Sequence, residues 1–180
     1  VFMPPITDKD KEAIKIGLDK EIHHFALSFA NKANDVSLMR ELCGFEASII
    51  SKIESISALY NLEEILEVTD EILIDRGDLS RQVQIEKIPF LQRLIIKKAH
   101  TSKVPVFVAT NLLESMVATK DPTRAEVNDV VSSLLMGADG LVLAAETAIG
   151  KYPIEAVQMI KRLINETEHW SDELSLGDVL

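Results

Sequence analysis

Five short apolar runs punctuate the chain, separated by longer stretches of mixed polarity. The runs are Phe25–Phe29, Ala47–Ile53, Glu71–Ile74, Val104–Thr110 and Gly140–Ala144. Each is too short to stand as a solitary helix, and several are β-branched, which predicts buried parallel strands. The segments between them carry helical spacing. Asn34–Leu42 is one, and Glu86–Thr101 sets Ile88, Leu91, Ile95 and Ala99 on one face. Arg124–Met136 and Ile154–Thr167 follow, the last introduced by Pro153, which suits a first helical position. Thr7-Asp8-Lys9-Asp10 predicts an N-cap for an opening helix at about 8–20.

The predicted order is a helix followed by five β-α units, with strand starts about 22 to 36 residues apart. Such regularity predicts an α/β fold with a parallel sheet and crossover helices. Two architectures fit: an open doubly wound sheet, or part of a (β/α)8 barrel. The phosphate-binding fingerprints GxGxxG and GxxxxGK[ST] do not occur. A complete barrel needs about 250 residues and about eight strands, so five strands make a partial barrel with three missing.

Composition narrows the function. The 180 residues are 47% hydrophobic, which suits a packed core and not a disordered chain. Acidic side chains outnumber basic ones, 29 to 19, for a net charge of −10. Such a chain has no diffuse attraction for nucleic acid or anionic lipid. The single cysteine, Cys43, excludes an internal disulfide and a cysteine zinc cluster, and its helical context before Gly44 predicts a packed, inert thiol. No apolar run reaches the roughly 20 residues needed to span a bilayer. Val1-Phe2-Met3-Pro4-Pro5 lacks the layout of a secretion signal, so a cytoplasmic location is expected. His23, His24, His100 and His169 show no metal-ligand spacing and are expected in solvent.

In barrels, functional groups sit at the C-terminal ends of strands. The second run ends in Lys52 and Glu54, two apart and hence on one strand face. The third leads into Asp75-Arg76-Gly77-Asp78. Glu54 and Asp78 are one β-α unit apart, so a barrel makes them neighbours. Two carboxylates there repel unless a cation sits between them, and a hard divalent ion such as Mg²⁺ suits them. The alternative is a structural Lys52–Glu54 ion pair with Asp78 capping a helix. Gly77 offers a close-approach backbone amide, or a plain strand-to-helix turn. Thr110 ends the fourth run, where a hydroxyl can position water or a carboxylate. Glu146 follows the fifth, as a further acid or as a helix N-terminal charge.

Together these strand ends resemble one family. Ile50-Ser51-Lys52-Ile53-Glu54, Asp75-Arg76-Gly77-Asp78-Leu79, Ala109-Thr110-Asn111-Leu112-Leu113-Glu114-Ser115-Met116, Pro122-Thr123-Arg124-Ala125-Glu126-Val127 and Glu146-Thr147-Ala148-Ile149-Gly150-Lys151-Tyr152-Pro153 are similar to pyruvate kinase, over roughly residues 3 to 168. The resemblance implies the later part of a (β/α)8 barrel, without the inserted lid domain and the C-terminal regulatory domain. It divides the chain into a barrel segment, 1–168, and an acidic tail, 169–180, with the only tryptophan, Trp170. It implies transfer of the phosphoryl group of phosphoenolpyruvate to ADP, giving pyruvate and ATP, in a glycolytic homo-oligomer that uses Mg²⁺, with Mn²⁺ as a substitute. K⁺ is used by the family, but its ligands are not in this chain. Lys52 corresponds to the lysine that stabilises the transferring phosphoryl group and the enolate. Glu54 and Asp78 correspond to the metal carboxylates. Gly77 and Asp78 correspond to the turn whose amides hold the substrate carboxylate. Thr110 corresponds to the threonine near the protonation site, Glu146 to a supporting glutamate, and Arg124 to an interface arginine beside the turn with Arg76.

The sequence also departs from the family pattern. Asp75 stands where a small residue is usual, and Ser80-Arg81-Gln82-Val83-Gln84 replaces a glycine-valine-glutamate-isoleucine-proline stretch. Asn31 replaces a common arginine, Asn111 a glutamine, and Ala144-Ala145 a serine-glycine pair. The metal-and-lysine half of the site is retained, and most ADP-phosphate contacts have no source in these residues. Beside the kinase, two other readings stand: Mg²⁺-dependent enolisation or decarboxylation of a small 2-oxo acid, and a non-catalytic scaffold or regulatory domain.

Overall fold

The computed structural model describes residues 4–179; Val1–Met3, part of the N-terminal segment read above, lie outside them. Five parallel strands form one sheet in the order β1-β2-β3-β4-β5: β1 His24–Leu27, β2 Ser48–Ile53, β3 Glu71–Asp75, β4 Val106–Ala109 and β5 Gly140–Val142. A doubly wound sheet reverses its strand order at a switch point; this one follows chain order throughout, which is barrel-type winding. The register is continuous across the pairs Leu27–Ser51, Ile53–Ile74 and Asp75–Ala109.

Helices connect the strands: α1 Asp8–Asp19, α2 Ala33–Cys43, α3 Ile56–Tyr60, α4 Leu62–Leu66, α5 Arg76–Leu79, α6 Ile88–Ser102, α7 Arg124–Leu135, α8 Ala145–Ala148, α9 Pro153–Glu168 and α10 Leu176–Val179. Thr7 caps α1 through a reciprocal box with Asp10, and Pro153 opens α9, as the sequence predicts. Except for β3, which runs one residue further to Asp75, the strands are shorter than their apolar runs. The first run stops at Leu27 because Phe29 takes a left-handed backbone, φ 50°, and the fourth stops at Ala109 because Thr110 has φ 68°. Two short helices, α3 and α4, fill the β2–β3 connection, where the β-α order implies a helix but the sequence marks no bounds for it; five residues each are too few to show a helical period.

By chain contacts the molecule divides into two units: residues up to Ala109 with Ala138–Leu141, and Thr110–Gly137 with residues from Val142 onward. In the first unit the strands are not buried on both faces as predicted. Along β2 full burial alternates with partial burial. Ile49 and Ile53 of β2, Ile72 and Ile74 of β3, and Val106 and Val108 of β4 are fully enclosed, with α2 and α6 packed against these strands. Ile50, Lys52, Leu73 and Phe107 stay partly exposed. Gly140 accommodates Phe107: a Cβ there would lie 2.4 Å from the ring. In the second unit, Ala156, Ile160 and Leu163 of α9 are buried at helical spacing, and Val130 of α7 is buried on the helix that packs against α9. No helix among the described residues is long and apolar enough to cross a membrane.

Candidate functional site

The site grows from two adjacent strand ends of the first unit. Lys52 lies on the partly exposed face of β2, and its ammonium sits 2.5 Å from Glu54 Oε1 and 3.2 Å from Asp75 Oδ2. Glu54 is fully buried. Its Oε2 accepts a 2.6 Å hydrogen bond from the Phe29 amide at the left-handed turn after β1. Its Oε1 makes no well-aligned hydrogen bond among the described residues and only faces the ammonium. Asp75 is buried at the end of β3 and caps α5, accepting from the Asp78 amide at 3.4 Å. Asp78 lies inside that single turn and pairs with Arg81 at 3.2 Å. Arg81 is highly exposed, so this pair is worth about 0–1 kcal/mol and yields easily to a stronger cation.

Each of Glu54, Asp75 and Asp78 offers an oxygen within 4.8 Å of the others. Two oxygens across an octahedral Mg²⁺ are about 4.2 Å apart, so the group is of a size to close on one ion. Once Arg81 yields, the three carboxylates and the Lys52 ammonium carry a formal charge of −2, which a dication cancels. An all-oxygen donor set with a buried, poorly bonded Glu54 oxygen fits a hard cation. Burial alone would lower the Lys52 ammonium, but Glu54 and then Asp75 outweigh it, so Lys52 titrates above the ordinary lysine range. The stability this adds is present below that range and is lost only as pH rises through the raised value. Lys52 is therefore a fixed cation at neutral pH.

The structure corrects the capping expectation. The N-cap of α5 is Asp75, not Asp78, whose backbone is the group being capped. Gly77 lies within the same turn, and Arg76 is buried with its guanidinium 3.4 Å from Gln92 Oε1. In the sequence Asp75 stands out only as a departure from the family pattern. The available signal was its place three residues before Asp78, the spacing of an N-cap and its third helical residue. Cys43 is buried, and burial pushes its thiol up, as expected of an inert group. All four histidines are exposed.

The remaining candidates belong to the second unit. Thr110 and Asn111 both take left-handed backbones, φ 68° and 53°. Such strain in a β-branched residue costs about 1–3 kcal/mol and gathers at functional turns. Glu146, buried at 1% exposure, is a backbone clamp: Oε1 accepts from the Leu113 amide at 3.0 Å and Oε2 from the Ala144 amide at 2.9 Å. Gly150 packs over the same turn, where a Cβ would meet the Glu146 carbonyl at 2.2 Å. Arg124 is exposed as the first residue of α7.

Glu126, in the sequence one residue of the Pro122–Val127 motif, organises the loop before α7. It accepts from the Ser115 amide and hydroxyl and from the Thr123 amide and hydroxyl, at 2.6–2.8 Å. Burial works to raise its carboxyl, but these four donors prevail and hold it below the usual range. Its stabilising effect is therefore present above the ordinary glutamate pKa and lost as pH falls through the lowered one. Glu126→Gln is expected to cost about 1–2 kcal/mol at pH 7. The difference from the parent should shrink below about pH 4, measured by urea denaturation across pH.

Strand order and an acidic cluster at the strand ends place the chain among β/α-barrel enzymes. A family model described as pyruvate kinase, barrel domain, matches residues 1–157. The chain is 46% identical over 166 residues to the pyruvate kinase of Thermotoga maritima, covering 91% of this chain and 36% of that one. It is 43% identical over 171 residues to that of Dictyostelium discoideum, covering 93% and 34%. Against that of Geobacillus stearothermophilus it is 40% identical over 172 residues, covering 93% and 29%. The chain belongs to the pyruvate kinase family, and it spans about a third of the length of these relatives.

Proposed function

We propose that this chain, as residues 1–168 with an accessory tail 169–180, carries the metal and substrate-carboxylate half of a pyruvate-kinase site. The site transfers the phosphoryl group of phosphoenolpyruvate to ADP, in a cytoplasmic, glycolytic homo-oligomer. The observation that supports this most is the meeting of Lys52, Glu54 and Asp78 at neighbouring strand ends in a side-chain cluster of net negative charge. Glu54 and Asp78 would hold Mg²⁺, or Mn²⁺. When bound, that ion would supply positive charge to the reacting oxygens.

Lys52 holds its ammonium against the phosphoryl group in flight and the oxygen it leaves, where negative charge develops. The phosphorus–oxygen bond to the enol breaks, a bond to the terminal oxygen of ADP forms, and C3 of the enolate gains a proton to give pyruvate. Thr110 positions that proton. The Gly77 and Asp78 amides orient the substrate carboxylate, the 3.4 Å contact from Asp78 to Asp75 being long enough to exchange. Arg76 and Glu146 hold the turns that carry these groups, and Arg124 serves the subunit contact. The remaining ADP contacts and the K⁺ ligands fall to the part of the relatives that this chain does not span. The test is pyruvate production from phosphoenolpyruvate by the intact protein, coupled to NADH oxidation. Turnover that requires both ADP and Mg²⁺ is expected; pyruvate release independent of ADP would contradict the kinase reading.

A further inference from the structure

We infer that Asp75 is a positioning residue for Lys52, an inference that rests on the phosphotransferase reading above. Lysine is a point charge on a flexible four-carbon stem, so its ammonium is useful only if something fixes it. Here two carboxylates do so from different strands: Glu54 from its own, and Asp75 from β3 at 3.2 Å. The two are not equivalent. Both belong to the acidic cluster, but Glu54 is, with Asp78, one of the two residues proposed above to hold the ion, and a dication shared by Glu54 would draw its charge away from Lys52 and repel the ammonium. Asp75 comes from the other strand, is itself buried, and reaches Lys52 through Oδ2, so its hold does not depend on the Asp78 amide that faces Oδ1 and is free to turn to the substrate. It therefore keeps hold of Lys52 when the site is loaded, and it ties Lys52 to the turn that carries Asp78.

A purely structural role as the cap of α5 is separable by substitution. Asparagine and serine both cap helices about as well as aspartate. Neither can cap and also present a carboxylate to Lys52. In the intact protein, Asp75→Asn and Asp75→Ser are expected to stay folded, with the cap of α5 kept and the thermal midpoint lowered by only a few degrees. At saturating Mg²⁺ each is expected to lose about 10–100-fold in kcat, with KM for phosphoenolpyruvate changed little. Mn²⁺ affinity, read by electron paramagnetic resonance, is expected to weaken no more than about tenfold. Asp75→Glu, which restores the charge, is expected to recover part of the lost kcat.

Parent-like kcat in both variants would reduce Asp75 to a cap and overturn the inference. Full recovery on raising Mg²⁺, or abolished Mn²⁺ binding, would make Asp75 a metal ligand and overturn it as well. A parent protein without ADP-dependent turnover would instead defeat the phosphotransferase reading, and the inference with it.

Discussion

Lys52→Met is expected to cut turnover of the intact protein by about a thousandfold, equivalent to about 4 kcal/mol of transition-state stabilisation. The substitution keeps most of the side-chain volume and removes the cation. What it removes is the ammonium that bridges Glu54 and Asp75. The loss should fall on kcat more than on KM, because the charge it opposes is largest in the transition state. Some stability goes with it, since Glu54 Oε1 is buried and has no other well-aligned partner among the described residues. That cost is about 1–3 kcal/mol. Lys52→Arg, which retains the charge with different geometry, controls for folding. Steady-state kinetics beside a denaturation curve checks the pair. A Lys52→Met protein that is folded and turns over like the parent would remove Lys52 from the chemistry.

The second large effect is structural. Glu146→Ala leaves the buried Leu113 amide without its acceptor, frees the Ala144 amide, and opens a void beneath the turn closed by Gly150. A destabilisation of about 3 kcal/mol is expected. Glu146→Gln should cost less, because one amide oxygen can still accept from one of the two donors. Urea denaturation of the two variants distinguishes this clamp from a solvated helix-terminal charge, whose removal would cost about 0.3–1 kcal/mol.

Much of the architecture could be read from the apolar runs. Parallel strands buried beneath helices need short, β-branched, nearly uncharged stretches, and all five runs overlap a strand. Their ends were harder to place. Phe29 and Thr110 look like good strand residues, but both turn left-handed, a choice made by the loops they enter. The pairing of Lys52 with Glu54 followed from strand parity, and the closeness of Glu54 and Asp78 from one β-α unit of separation. Asp75 was missed as a site residue because its role depends on reach across strands to Lys52, which no spacing within one segment reveals. Glu146 was legible as an acid near a strand end, but not as an acceptor for two backbone amides, one of them 33 residues away.

The most direct test of the account is exchange of the pyruvate methyl protons for deuterium, followed by NMR in D₂O with the intact protein. It isolates the half of the site that these residues build, and it needs no nucleotide transfer. The prediction is exchange that requires Mg²⁺ and is lost in Glu54→Gln. Exchange of equal rate without the metal, or unchanged by Glu54→Gln in a folded protein, would contradict it.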